Sequence, residues 1–253
     1  QAGKRSTIEV LGFQLPGGTP AEFPGAPQGL MRADLQVRVP IDAASRRDLI
    51  VGPMAEARAA WVDAVAYHPG GAWSECDPIG VLVTPLPVLQ TTKGDPNGGI
   101  PLLTAPCEAA GLFETDRDED AYEFDAVAGK EYRIDVQSHR LGWATDPALV
   151  LQRVTKGEDG KEQLQELSRF DDPPEANRRR QVAVDLSSDD PAIDFRPQEA
   201  MRVRVRVINQ YADRAWRLPR PYRLRIEEKS PDFRAVVHPL VLGLQPNQSS
   251  AAA

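Results

Sequence analysis

The sequence predicts an all-β fold built as two β-sandwich domains in tandem. Three observations predict it. Segments of strand length alternate apolar and polar residues with a period of two. The 253 residues include 23 prolines and 19 glycines, spread along the chain, which interrupt it too often for long helices. A stretch without periodicity, QTTKGDPNGGIPLLTAP at 90–106, separates a less regular first part from a more regular second. The expected organisation is a first sandwich over 1–88, a linker over 89–106, a second sandwich over 107–240 and a tail over 241–253.

The elements follow in order. STIEVLGFQL places Thr7, Glu9 and Leu11 on one parity and Ile8 and Val10 on the other before Gly12 interrupts. LMRADLQVRVPI alternates more clearly, with Leu35, Val37 and Val39 facing one way and Gln36 and Arg38 the other, the mark of a half-buried strand. RRDLIVGP is a short apolar run ended by Gly52 and Pro53. MAEARAAWVDAVAYHPGG fits a helical turn around 55–60 or a strand in WVDAVAY. DPIGVLVTPLPVL closes the first part with a strand around 81–83.

In the second part, Tyr122 and Phe124 alternate with Glu123 and Asp125, VAGK turns the chain, and Tyr132, Ile134 and Val136 repeat the alternation. DPALVLQRV, the polar turn KGEDGK and the segment after it make a hairpin. MRVRVRVINQY is the cleanest alternation: Met201, Val203, Val205 and Val207 against Arg202, Arg204 and Arg206. YRLRIEE repeats it, with Tyr222, Leu224 and Ile226 facing in and Arg223 and Arg225 facing out. Strands at this spacing imply an antiparallel sandwich or jelly roll.

Composition limits function. A net charge of −7 argues against nucleic acid, whose binders carry a basic footprint. No stretch approaches eighteen apolar residues, so a membrane-spanning helix is not expected. No signal peptide is visible, and the chain reads as an excerpt of a longer exported protein. Cys76 and Cys107 are either a disulfide or two buried thiols, and no CxxC pattern points to zinc, redox chemistry or haem. His68, His139 and His238 accompany no GxSxG elbow and no HExxH helix, so nucleophilic or zinc catalysis has no motif behind it. Trp61, Trp73, Trp143 and Trp216 are scattered, and core or core-edge positions suit them better than a sugar platform.

Two clusters carry chemistry. DRDEDAYEF, at 116–124, holds four acids in its first five residues. A catalytic carboxylate pair needs unlike environments, which a crowded exposed turn does not give. A calcium ion needs six to eight oxygens at about 2.3–2.6 Å, more than one strand end supplies. The bland alternative is a solvated strand mouth whose charges also discourage edge-to-edge pairing. Arg202, Arg204, Arg206, Arg223 and Arg225 form one basic face if their strands pair, and guanidinium groups there would suit an acidic polysaccharide or another anionic ligand. Otherwise they are a face balanced by Asp and Glu of neighbouring strands.

The stretches DEDAYEFDAVAGKEYRIDV, LGWATDPALVLQRV, FDD and PYRLRIEE together resemble the bacterial pre-peptidase C-terminal domain and the related collagen-binding domains, over about residues 95–230. The residues carrying the resemblance are Asp118, Asp120, Tyr122, Phe124, Ala128, Gly129, Asp146, Pro147, Leu149, Asp171 and Asp172. It implies a jelly-roll-like sandwich attached to an exported protein. It also implies a calcium site in which Asp95 and Asn97 of the linker fold back to join Asp118 and Asp120. The family's Glu-Pro-Asn stands here as Asp95-Pro96-Asn97, and Gly98 replaces the acid that often follows, removing one oxygen ligand. Residues 1–88, through GKRSTIEVLG and VRVPIDA, resemble an immunoglobulin-like domain of the TIG type. The expected function is that of a non-catalytic extracellular, cell-surface or periplasmic module for adhesion, substrate targeting or spacing. Its partners would be a protein or polysaccharide, or neighbouring domains of the same parent protein. The alternative is a carbohydrate-binding module or accessory domain of a secreted hydrolase whose catalytic domain lies outside this chain.

Overall fold

A computed structural model describes residues 5–23, 26–38, 64–75, 79–90, 99–115, 117–141, 143, 145–171, 190–210 and 219–229. Among them the regular structure is β-strand, with two single 3-10 turns at Gly71–Trp73 and His139–Leu141. The all-β expectation holds.

In the first part, β1 (Arg5–Phe13) and β2 (Thr19–Pro20) flank β3 (Leu30–Arg38) in one antiparallel sheet. β4 (Ala64–Tyr67) and β5 (Ile79–Leu82) form a second. The alternation in LMRADLQVR does what its period dictates: Leu35 and Val37 are buried while Gln36 and Arg38 are exposed. With Val83, just past β5, they make a small core against which Ile8, Val10, Tyr67, Trp73 and Val81 pack. Trp73 is therefore a core-edge side chain. Val39, the run at 46–53, the ambiguous segment at 54–63 and Trp61 lie outside the described residues.

The second part is the larger sandwich. One five-stranded sheet runs β13–β10–β15–β8–β6 and the other β12–β11–β14–β9–β7. The strands are β6 (Val88–Gln90), β7 (Leu102–Leu103), β8 (Cys107–Phe113), β9 (Glu119–Ala126) and β10 (Tyr132–Gln137), followed by β11 (Pro147–Lys156), β12 (Glu162–Phe170), β13 (Ala192–Phe195), β14 (Met201–Asn209) and β15 (Arg220–Glu228). Inward residues of each sheet supply one core: Tyr122 and Phe124 of β9, Ile134 and Val136 of β10, Leu149 and Leu151 of β11, Val203, Val205 and Val207 of β14, and Leu224 and Ile226 of β15. Each full burial of such a side chain contributes about 1.5–3 kcal/mol. That sum opposes the entropy cost of ordering the chain.

The turn after β9 carries the chain from one sheet to the other. Gly129 adopts a φ of 77°, a conformation that a Cβ would oppose, and the Lys130 N–H donates to the Val127 carbonyl at 3.3 Å. The polar KGEDGK turn closes the β11–β12 hairpin as expected. Within the region read as first-domain end and linker, β6 and β7 pair in parallel with β8 and β9, adding an edge strand to each sheet. Cys107 is a buried thiol on β8; burial and the neighbouring Glu108 push it up to about 11. Cys76 lies outside the described residues.

Gly111 stands opposite Tyr222 in the β8–β15 register, and a Cβ there would meet the Tyr222 ring at 2.3 Å. The ring also stacks on Phe113, with centroids 4.5 Å apart. Glycine at this position is what lets an aromatic side chain lie across β8. We expect Gly111→Ala to lower stability by about 1–3 kcal/mol, through overpacking of a filled core. Urea unfolding measures it, and an unchanged midpoint would contradict the packing described.

Candidate functional site: the acidic mouth of β9 and the arginine rows

Parity separates the acids that crowd together in the sequence. On β9, Asp120, Tyr122, Phe124 and Ala126 share the inward parity, while Glu119, Glu123 and Asp125 point to the outer face. Asp118 precedes the strand and acts as a local staple. One of its carboxylate oxygens accepts the Glu114 N–H at 2.7 Å and the other the Glu119 N–H at 2.9 Å. Its backbone carbonyl accepts the N–H of Asn209, at the end of β14, at 2.9 Å. Asn209 is fully buried, and its side chain accepts the Asp146 N–H at 3.3 Å, so three chain segments meet at this end of the sheet. Asp171 accepts the Gln210 side-chain amide at 2.7 Å.

Asp120 points inward, where Tyr222 donates its hydroxyl proton to a carboxylate oxygen at 2.6 Å. The hydroxyls of Tyr122 and Tyr222 are also 2.6 Å apart. A phenol has one proton to give, so with Tyr222 committed to Asp120, Tyr122 is the donor to Tyr222. The relay spans the sandwich, since Tyr122 and Asp120 belong to β9 and Tyr222 to β15 of the opposite sheet. Burial, with Tyr122 and Asp120 beside it, drives the Tyr222 hydroxyl far above the ordinary phenol range and keeps it a neutral donor.

The arginine rows do not form one face. β14 and β15 lie in different sheets, so Arg202, Arg204 and Arg206 are separated by the whole sandwich from Arg223 and Arg225. The single basic surface that strand pairing would have made is absent, because each strand pairs within its own sheet. On the first face, Arg202 holds Asp125 at 2.6 and 3.1 Å. Arg204, itself buried, holds Glu123 at 2.9 and 2.6 Å and reaches Glu162 of β12 at 2.7 Å. Arg206 makes a two-pronged contact with Glu119. The register puts Arg202 opposite Asp125 and Arg204 opposite Glu123, so the ladder follows from strand pairing. On the other face, Arg225 donates to the buried Glu108 at 2.8 Å, and Arg223 stands 3.5 Å from the same carboxylate.

A further polar node carries no signal in the local sequence. Asp190 is buried and accepts the backbone N–H groups of Ser138, His139 and Arg140 at 2.7–2.9 Å. It also accepts the Arg140 Nε at 2.9 Å, while the other arm of Arg140 reaches Asp135 at 2.6 Å. Burial opposes the Arg140 charge, yet Asp135 and Asp190 outweigh it and hold the guanidinium protonated above its ordinary range. His139 thus contributes its backbone to this node.

Asp95, Asn97, Asp172, His238 and Trp216 lie outside the described residues. Among the described residues, no three His, Cys, Asp or Glu side chains gather as a metal site would require. Trp143 is partly exposed. No helix among the described residues is long and apolar enough to cross a membrane.

No family model matches the chain, and no curated protein matches it. Among solved structures, it is similar to the pre-peptidase C-terminal domain of a Bacillus anthracis collagenase. That likeness has 13% identity and a TM-score of 0.33, and covers 51% of this chain and 95% of that one. It is also similar to CorA, a surface-associated copper-binding protein of Methylomicrobium album BG8, at 9% identity and a TM-score of 0.36, covering 57% of this chain and 98% of that one. A third similarity is to PliG of Aeromonas hydrophila, a periplasmic inhibitor of g-type lysozyme, at 13% identity and a TM-score of 0.30, covering 52% of this chain and 100% of that one. Identities of this order fix no residue correspondence between the chains.

Two outcomes follow from the geometry. Tyr222→Phe removes the donor to Asp120 and should cost about 1–3 kcal/mol in urea unfolding. Asp190→Ala leaves Arg140 with half its partners in a buried setting and should cost about 3 kcal/mol or more by the same measurement. A neutral result for either would mean that the contact does not hold in solution.

Proposed function

We propose that this chain is a non-catalytic β-sandwich module of an exported protein, serving attachment, targeting or spacing. One observation supports this most. The side chains best suited to chemistry in the second sandwich are committed to one another as framework. Asp118 holds a turn, Asp120 holds Tyr222, and Glu108, Glu119, Glu123, Asp125 and Glu162 hold arginines. A catalyst needs a nucleophile or base poised toward an incoming substrate. These groups instead face partners within the fold.

The same pairing argues against an acidic polysaccharide on the arginine rows. An anionic ligand would have to displace carboxylates already seated on Arg202, Arg204 and Arg206, and would gain only the difference between the two contacts. A protein partner or a neighbouring domain of the parent chain fits this surface better. An immunoglobulin-like first unit and a pre-peptidase C-terminal-like second unit belong to this reading. Calcium is a separable part of it: Asp118 and Asp120 would contribute oxygens beside Asp95 and Asn97. A cation that binds the folded chain raises its stability by RT ln(1 + [L]/Kd).

The test has two arms. The purified chain, offered panels of peptide, ester and glycoside substrates, should turn none over. Turnover abolished by substituting a single histidine or carboxylate would defeat the non-catalytic reading. Thermal melts in Ca²⁺ and in chelator address the cation, and equal midpoints remove calcium while leaving the rest of the proposal standing.

A further inference from the structure

The first sandwich ends and the second begins within a few residues. Val83 belongs to the core of the first unit and Thr84 is buried beside it. Val88 already starts β6, paired in parallel with β8 of the second unit through Val88–Glu108, Leu89–Ala109 and Gln90–Ala110. Only Pro85, Leu86 and Pro87 lie between, a reach of about 10 Å at full extension.

These residues have little freedom. Proline fixes φ near −65° at two of the three positions. Thr84 and Leu86 each precede a proline and are restricted to extended backbone. Both ends are pinned as well. The Leu86 N–H donates to the Thr84 hydroxyl at 3.1 Å, on the side of the first core. The Pro87 carbonyl accepts the Glu108 N–H at 2.9 Å, on the side of the second. Glu108 is itself buried and held by Arg225 of β15, so this anchor reaches the centre of its sheet.

We propose that Thr84–Pro87 is a stiff joint that makes the two sandwiches turn as one body, and that the glycine-rich stretch after β6 is a loop of the second unit, not a hinge between units. A module built this way fixes the direction in which the parent chain leaves it and transmits force without swivelling. The inference gives the spacer role under Proposed function a mechanism. It rests on backbone geometry, so it can fail while the chain remains non-catalytic, and the reverse.

Backbone ¹⁵N relaxation on the whole chain tests it. The native protein should show one rotational correlation time shared by amides of β1 and β3 and amides of β9 and β14. The double variant Pro85→Gly/Pro87→Gly should split this into two shorter times, with chemical-shift dispersion retained in both units. Should the glycines cost the fold, inserting Gly-Ser-Gly-Ser after Leu86 lengthens the joint with both prolines kept, and the same split is expected. Two correlation times in the native chain would overturn the proposal. So would one shared time in the native chain and in the loosened variant, because the coupling would then lie outside the joint.

Discussion

The hydrogen-bond relay from Tyr122 through Tyr222 to Asp120 is the constraint around which the second sandwich is arranged. It crosses the core and joins one sheet to the other at a point where both strands would otherwise bring only apolar side chains. Apolar contacts are tolerant of sliding, whereas a buried phenol and carboxylate must meet within hydrogen-bond distance or lose their solvation without compensation. The relay therefore fixes the offset between the sheets. Gly111 follows from it: the Tyr222 ring occupies the space that a side chain on β8 would fill.

The outer faces obey a related logic. Alternation that sends valines inward on β14 must send its odd partners outward, and those partners are arginines. Left alone they would repel one another along a strand. The adjacent strands carry the matching acids at the matching register, so the charge is neutralised by pairing across the sheet. Exposed pairs of this kind contribute little singly. The buried members, Arg204 with Glu123 and Arg225 with Glu108, carry more weight, because removing one partner strands a charge out of water. In this account the acids of DRDEDAYEF have no shared task. One closes a turn, one crosses the core, and the others neutralise arginines.

Much of this was legible in the sequence, and the remainder was hidden for physical reasons. The strands β9, β10, β11, β14 and β15 declare themselves because each buries one face, and a period of two is the direct imprint of that burial. Asp120 was also readable: it shares parity with Tyr122 and Phe124 and so had to point inward, although its crowding with Asp118 and Glu119 suggested one exposed cluster. Which strands pair is a different kind of fact. MRVRVRV and YRLRIEE look like natural neighbours, yet they lie in opposite sheets, and alternation is the same whichever sheet a strand joins. β6 and β7, at three and two residues, are too short to show any period. The Asp190 node unites residues about fifty positions apart, and the tyrosine pair residues one hundred apart; nothing local marks either.

The central claim is that Asp120 and Tyr222 are bound to each other as framework. A double-mutant cycle with Asp120→Ala and Tyr222→Phe, read by urea unfolding, tests it most directly. The account predicts a coupling energy of about 1–3 kcal/mol, since either substitution alone already breaks the contact that the other would break. Additivity within about 0.5 kcal/mol would mean that the two side chains act independently, and the acidic mouth of β9 would again be open to a role in binding.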